Sequence, residues 1–430
     1  MPQPALLEEL SWRGLIHAQS DGLPERLAKG PISAYIGFDA SAVSLHVGNL
    51  MQVFLLAHLQ RAGGRPVVLV GSGTGMIGDP SGKSSERQLL DDATIARNSA
   101  ALRGQLGRFL QFGDGPTDAL MLDNREWLGE WRLLDFLRDV GKHFTVPYML
   151  SKESVQQRLA AGLSFTEFSY MTLQAADFLH LYREQGVEMQ MGGADQWGNI
   201  TAGLELIRRV EGRDEGAEPP AFGLCSPLLL TRSGQKMGKS ERGAVYLDPA
   251  LTPPFEFYQY WLNDDDALVA EHLRWLTFLE RGEIEALEAE QAARPEGRPA
   301  QRALARELTA LVHGPDEAQR QEDLAAVWFD PSRSLLDLPP EHLERLLVSV
   351  PHLRAPQEWQ GGPVIDLAVG SRFVTSRGEF RRLVAAGGAW VNGQRIADPF
   401  QTAPDPVHGQ YWELRRGKER ALVTLDGEGS

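Results

Sequence analysis

Four clusters of residues in this chain have the types and spacing to handle a nucleotide. The first is Tyr35-Ile-Gly-Phe-Asp-Ala-Ser-Ala-Val-Ser-Leu-His-Val-Gly-Asn49. Tyr35 to Phe38 reads as the end of a buried strand and Asp39 to Leu45 as a short polar crossing. His46-Val-Gly-Asn49 then opens a helix, with Leu50, Val53, Phe54 and Ala57 at helical spacing. Strand, loop and helix N-terminus is where an open α/β sheet binds phosphate, because free backbone N–H groups and the helix dipole favour an anion there. Gly48 lets another group approach closely, and His46 and Asn49, three apart, share a face. The second cluster is Lys236-Met-Gly-Lys-Ser240, flanked by Gly234 and Gly243: two lysines in a glycine-hinged loop suit a mobile clamp over a triphosphate. The third is Tyr170, Gln174 and Asp177, at i, i+4 and i+7 on a helix read over 165–183. The fourth, Gly192-Gly-Ala-Asp-Gln-Trp-Gly-Asn199, is a strand-to-helix turn whose position suits a ribose-binding edge.

Each cluster alone has a plain reading: an ordinary βα turn, a solvated basic loop, a polar stripe facing water, a capped turn. Two further glycine patterns mislead. Gly73 to Gly78 fits the dinucleotide fingerprint after the strand Val67-Val-Leu-Val70, but Asp79-Pro-Ser-Gly82 breaks the helix that fingerprint needs. Gly82-Lys83-Ser84 suggests a P-loop, yet position 77 is Ile where the first glycine belongs.

Taken together and in order, the clusters resemble the two ATP-binding motifs of class I aminoacyl-tRNA synthetases. With Tyr35-x-Gly-Phe-Asp39 and Gly78-Asp-Pro-Ser-Gly82 added, the resemblance narrows to the bacterial tyrosyl-tRNA synthetases and runs over nearly the whole chain. It implies that tyrosine is activated with ATP to tyrosyl-adenylate and then passed to the 3′ end of tRNA(Tyr), with magnesium travelling on the ATP and no metal held by the protein. It implies that Tyr35 and Asp177 flank the phenol, that Asp79, Tyr170 and Gln174 hold the α-amino group, and that Gln196 meets the carboxylate. ATP would meet Gly37, Asp39, His46, Gly48, Asn49, Gly193, Asp195, Lys236 and Lys239. Catalysis is assigned to Ser41, His46, Asn49, Lys236 and Lys239, by positioning and by stabilising charge on the phosphates. Three positions depart from the usual pattern: Asn49 stands for the second histidine of the first motif, Gly238 for serine in the second, and Ser41 where threonine is common.

The bulk numbers agree with that class. A chain of 430 residues has room for two or three domains. Its one cysteine, Cys225, excludes an internal disulfide and any multi-cysteine zinc site, which fits a reducing cytoplasm. No signal peptide is visible, no apolar run nears the roughly 18 residues of a membrane span, and a cytoplasmic location is expected. The net charge is −15, yet residues 362–430 carry nine Lys/Arg against eight Asp/Glu and net +1. RNA would have to meet local basic patches on a repelling body.

The expected architecture is α/β. A Rossmann-like parallel-sheet catalytic domain over 1–245 carries a dimerisation insertion at about 120–165. An all-helical anticodon-binding domain over 246–330 follows, then a proline-rich linker over 331–362. A small α+β domain over 363–430 resembles a ribosomal-protein-like (alpha-L type) RNA-binding domain. Residues 5–19, 91–112 and 130–163 read as helical, with a short helix at 341–348. In the last domain a capped helix from Ser376 stops at Gly387-Gly388 and leads to a strand and an Asn392-Gly393 turn. Arg377, Arg381, Arg382, Arg415 and Arg416 are its candidate RNA contacts, joined near the reaction centre by Lys83 and Arg87. The resemblance also implies a homodimer. The competing readings are a nicotinamide dehydrogenase, which Pro80 defeats, the related tryptophanyl enzyme, and a catalytically idle RNA-binding or splicing scaffold on the same fold.

Overall fold

The computed structural model describes residues 5–79, 91–152, 155, 156, 159, 162–212, 219–240, 243–328, 333–349, 352–355, 359, 361–417 and 419–425. The chain divides into two compact units, Met1–Leu251 with Asp264–Leu304, and Thr252–Asn263 with Ala305–Ser430. The helical stretch 246–330 is therefore shared between them.

The first unit is built on a six-stranded sheet. Its strands are β1 (Ala18–Gln19), β2 (Ser33–Phe38), β3 (Arg65–Val70), β4 (Leu120–Asp123), β5 (Met189–Gly193) and β6 (Phe222–Ser226), in the order β1-β6-β5-β2-β3-β4. All pairs are parallel except β1 on β6. β3 is buried from Pro66 to Val70 and β5 and β6 throughout, as expected of strands covered on both faces. The chain winds outward from β2 to β3 and β4, then returns to β5 on the other side of β2. That reversal opens a crevice beyond the carboxyl ends of β2 and β5, where open α/β sheets take their ligands.

The helices of this unit follow from their sequence patterns. α1 (Leu6–Arg13) is shorter than the reading of 5–19, because Gly14 closes it in a left-handed conformation (φ 75°) and Ala18–Gln19 pair with β6. α2 (Leu50–Arg61) is buried from Val53 to Leu59, so it is apolar around its circumference rather than on one stripe. α3 (Asp92–Leu106) is capped by Asp91, whose carboxylate accepts from Thr94 N–H at 2.7 Å. α4 (Phe165–Gln185) opens with a Ser164/Glu167 capping box and ends at Gly186 (φ 63°). α5 (Trp197–Val210) packs on α4, and a side chain at Gly203 would meet the Phe178 ring at 2.9 Å. The run read as helical over 130–163 is broken into Leu133–Asp139, Gly141–His143 and Val146–Leu150, with Gly141 and Pro147 marking the interruptions. Two short strands, β7 (Lys239–Ser240) and β8 (Gly243–Ala244), pair antiparallel.

The second unit joins helices to a five-stranded sheet. β9 (His352–Ala355), β10 (Ala389–Val391), β11 (Gln394–Arg395), β12 (Tyr411–Arg416) and β13 (Glu419–Leu425) take the order β11-β10-β12-β13-β9. Helices Val364–Gly370 and Arg377–Ala385 cover one face, burying Val364, Ile365, Phe380, Val391, Trp412 and Leu414. Ser376 caps the second helix, and Asn392 and Gly393 turn with positive φ, as read. The stretch 331–362 is more than the linker its prolines suggested, because His352–Ala355 lies parallel to β13. Between Pro351 and Pro356 four residues keep their N–H donors, enough for one edge strand. Ser334 Oγ and Leu335 N–H also donate to the buried Glu413 carboxylate at 2.7 and 3.1 Å, and Arg420 faces it at 3.3 Å. Among the described residues no helix is long and apolar enough to cross a membrane.

Candidate active site

The crevice between β2 and β5 holds a cavity of about 430 Å³. Its walls bring together Tyr35, Gly37, Asp39, Ser41, His46, Gly48, Asn49, Asp79, Tyr170, Gln174, Asp177, Gly193, Asp195, Gln196 and Lys236. These residues come from β2 and the loop and turn after it, the stretch that follows β3, α4, β5 and the turn after it, and the loop before β7.

The deep end is a network of buried polar side chains. Asp177, 1% exposed, accepts from Trp127 Nε1 at 2.8 Å and from Asn124 Nδ2 at 2.9 Å. Asn124 is held in turn: Nδ2 also donates to Thr74 Oγ1 at 2.9 Å, and Oδ1 accepts from Gly73 N–H at 2.8 Å. Trp127 is stacked on His180 with centroids 4.2 Å apart. Burial pushes the Asp177 carboxyl up to about 7, and the two hydrogen bonds work against that rise. Tyr35, against Phe178 at 5.3 Å, is fully buried, and its hydroxyl has no hydrogen-bond partner among the described residues. Burial first and the nearby Asp177 second keep that phenol protonated well above its ordinary range. An O–H without a partner beside a buried carboxylate is a costly arrangement unless a ligand completes it.

A second chain of hydrogen bonds crosses the middle of the cavity. Gln196 Nε2 donates to Asp79 Oδ2 at 3.0 Å, and Gln196 Oε1 accepts from Gln174 Nε2 at 3.3 Å and Asn199 Nδ2 at 3.2 Å. Residues 79, 174 and 196, far apart in sequence, thus form one polar wall of the cavity that Tyr170 also lines.

The mouth is built from backbone. His46 caps the 3₁₀ turn Val47–Asn49: its Nδ1 accepts from Gly48 N–H and its own N–H donates to Asn49 Oδ1, both at 3.0 Å. With Nδ1 accepting, a neutral ring carries its proton on Nε2. The lysine loop is laid against this turn, 190 residues away in the chain. Val47 N–H donates to Val245 O and Leu247 N–H to Leu45 O, both at 2.9 Å, while within the loop Met237 N–H donates to Leu229 O at 2.8 Å. The contact is tight enough to dictate two glycines. A side chain at Gly48 would stand 2.7 Å from Met237 O, and one at Gly238 (φ 98°) would stand 2.9 Å from His46 Nδ1. Gly238, a departure when read in sequence, is what this backbone requires. Lys236 Nζ lies 2.6 Å from Asp195 Oδ2 across the opening, with the lysine half exposed.

The crossing loop is supported from behind by α3. Asn98 Nδ2 donates to Ala40 O at 2.8 Å, and Gln105 Oε1 accepts from Leu45 N–H at 2.8 Å. Sequence reasoning did not single out Asn98, Gln105, Asn124, Trp127 or Thr74. Only the polar character of Asn98 and Gln105 along the inward stripe of α3, and of Asn124 after a strand, signalled them. Lys83 and Arg87 lie outside the described residues. For Lys239 the backbone of β7 is placed. Of the five arginines of the second unit, Arg377 is ion-paired with Asp366 and Arg416 with Glu379 and Glu419, Arg381 lies 5.0 Å over the Phe400 ring and Arg415 4.5 Å over the Trp390 ring, and Arg382 is exposed.

The comparisons with known proteins agree with this geometry. Residues 27–329 match the family described as tRNA synthetases class I (W and Y). A tyrosine–tRNA ligase of Anaeromyxobacter dehalogenans is 49% identical over 98% of this chain and 99% of its own. One of Roseiflexus castenholzii is 46% identical over 96% and 97%.

This chain belongs to the tyrosyl-tRNA synthetases.

Among solved structures, a C-terminally truncated mitochondrial tyrosyl-tRNA synthetase of Aspergillus nidulans superposes with a TM-score of 0.66 at 29% identity, covering 75% of this chain and 93% of its own. A tryptophanyl-tRNA synthetase of Encephalitozoon cuniculi reaches a TM-score of 0.52 at 15% identity, a likeness of fold alone. As a tyrosyl-tRNA synthetase the chain is an ATP-dependent ligase, and the Rossmann-like α/β class read from its sequence stands. The idle-scaffold reading finds no support in these relatives.

Proposed function

We propose that the crevice carries out tyrosine activation as follows, in a cytoplasmic homodimer. Tyrosine enters with its phenol between Tyr35 and Asp177, its α-amino group on Asp79, Tyr170 and Gln174, and its carboxylate toward Gln196. The observation that carries this is the lone buried hydroxyl of Tyr35 beside the hydrogen-bonded Asp177. A phenol O–H donates to the carboxylate and accepts from Tyr35. Phenylalanine leaves the Tyr35 hydroxyl unpartnered and brings Asp177 no further donor, and no editing site is needed. ATP enters as its magnesium salt, with the ribose along Gly193 and Asp195 and the nucleotide over Gly37, where no atom of the described residues fills the space a side chain would take.

The tyrosine carboxylate attacks the α-phosphorus in line, forming the acyl–phosphate bond as the bond to pyrophosphate breaks. Ser41, His46 through Nε2–H, Asn49, Lys236 and Lys239 stabilise the charge that develops on the phosphates. In the second step a terminal ribose hydroxyl of tRNA attacks the tyrosyl carbonyl and AMP leaves. Neither step uses a protein nucleophile. The remaining parts have separate roles: 246–330 meets the anticodon region, 363–430 meets RNA, and Lys83 and Arg87 meet the acceptor end. The exposed apolar residues Leu133, Leu134, Leu137, Val146 and Phe165 support 120–165 as the dimer surface.

Amino-acid-dependent ATP–pyrophosphate exchange without tRNA, run with each of the twenty amino acids, tests this reading. Exchange with tyrosine alone is expected, abolished by Asp177→Ala. Exchange with tryptophan, or undiminished exchange in Asp177→Ala, would overturn the pocket.

A further inference from the structure

The loop that carries Ser41 to the cavity belongs to no helix or strand: residues 39–45 run from the end of β2 to the His46 turn without a ladder of their own. A backbone of that kind keeps one course only if other groups take up its N–H and C=O. Here α3 does so. Its inward stripe is Ile95, Asn98, Leu102 and Leu106, three apolar side chains and one amide. Asn98, 4% exposed, donates from Nδ2 to Ala40 O at 2.8 Å, one residue before Ser41. Two turns further along the helix, Gln105 Oε1 accepts from Leu45 N–H at 2.8 Å, one residue before His46. The two amides thus grip the loop at both ends. Their backbone partners fix the sense of each grip, since a carbonyl requires the NH2 of Asn98 and an N–H requires the oxygen of Gln105.

The second grip reaches further. Leu45 O accepts from Leu247 N–H at 2.9 Å and from Ser44 Oγ at 2.7 Å. Ser44 Oγ accepts in turn from Asp248 N–H at 3.1 Å and lies 3.3 Å from Gln105 Oε1. His46 bridges Tyr246 antiparallel, so residues 45–47 and 245–248 run side by side. The latter return from the lysine loop by way of β8. The end of the lysine loop and the start of the His46 turn therefore meet at one node, and Gln105 completes it from behind. Ser44 and Leu45 are buried, so a partner lost from this node is not replaced by water.

We propose that Asn98 and Gln105 are positioning residues for tyrosine activation. They act through the loop, setting Ser41 and His46, which line the cavity, where the phosphates need them in the transition state. Misplacement of such groups by about 1 Å can slow a reaction about 100-fold. This inference rests on the activation reading above.

The test is tyrosine-dependent ATP–pyrophosphate exchange in the full-length protein, with rates counted per site able to form adenylate and melting temperatures measured alongside. Asn98→Asp turns the donor to Ala40 O into another acceptor, and Gln105→Met removes the acceptor for Leu45 N–H. Each should lower kcat about tenfold or more, with the tyrosine KM within about twofold of wild type. Gln105→Glu keeps the accepting oxygen and gives up only a 3.4 Å contact to Val43 O, so it should recover most of the rate. A role confined to stability would instead lower melting temperature and leave kcat per site unchanged. Wild-type kcat in both Asn98→Asp and Gln105→Met would overturn the assignment. So would a loss seen only in the tyrosine KM, or one as large in Gln105→Glu as in Gln105→Met. If Asn98→Asp does not fold, the two Gln105 variants decide. A wild-type protein silent with tyrosine would sink the activation reading itself, a result distinct from an active wild type whose variants match it.

Discussion

The two ends of the cleft are made in opposite ways. At the deep end, specificity rests on side chains that hold one another: Asp177 by Asn124 and Trp127, and Asn124 by Thr74 and Gly73. Asp177, Asn124, Trp127 and Thr74 are buried, so each lost partner leaves a polar group without water to replace it. At the mouth, the His46 turn and the lysine loop meet through backbone hydrogen bonds and two glycines, and Lys236 and Asp195 lie partly in solvent. The deep end is therefore rigid and selective. In the proposed reaction the mouth would exchange its partners for those of a triphosphate, and its exposed pair keeps the cost of that exchange small.

The comparison breaks most sharply at Asp177. Its folded-state carboxyl sits at about 7 against an ordinary 3.8, so the folded protein binds a proton that the unfolded chain has released. The stability this confers is complete below about pH 4 and is lost as pH rises through about 7, a change on the order of 4 kcal/mol. Denaturant melts from pH 4 to 8 should show that slope in the wild type and lack it in Asp177→Asn. Tyrosine affinity should strengthen over the upper part of the same range as the carboxylate forms. A slope equal in both proteins would show that burial does not control this group.

Asn124→Ala comes next. It removes a charge-assisted hydrogen bond and orphans the Gly73 N–H, so tyrosine-dependent exchange should fall about 10–100-fold. The ATP KM should stay near wild type if the deep end is independent of the mouth.

At the mouth, Gly238→Ser should strain a left-handed residue pressed on His46 and slow exchange about tenfold, with tyrosine binding unchanged. Lys236→Gln should alter stability least, by under about 1 kcal/mol, because its pair with Asp195 is solvent-exposed. A large stability loss there would mean that the loop is part of the fold rather than a clamp resting on it.

The same contrast explains what could be read beforehand. The mouth motifs were legible because backbone geometry demands glycine, a capping residue and a strand-to-helix turn at fixed local spacing. The face shared by Tyr170, Gln174 and Asp177 was legible because a helix fixes it. Asn124 and Trp127 were not, since nothing local in Leu120–Leu128 says that its end will meet a helix fifty residues on. The broken insertion helix and the strand hidden between Pro351 and Pro356 were missed for a related reason. Propensity describes a segment, whereas pairing partners decide whether it becomes a strand.

By itself, then, the sequence determined the α/β class, the order of the motifs, and the chemistry that histidine, lysine and glycine could perform at a helix start. Tertiary structure decided which groups meet: that Gly48 and Gly238 interlock, that Asp177 carries its own pair of donors, and that Arg377 and Arg416 are held by carboxylates. The physical reason is range. Dihedral preference and periodicity act over a few residues and are written in them, while burial and hydrogen-bond completion depend on neighbours that only the folded chain supplies.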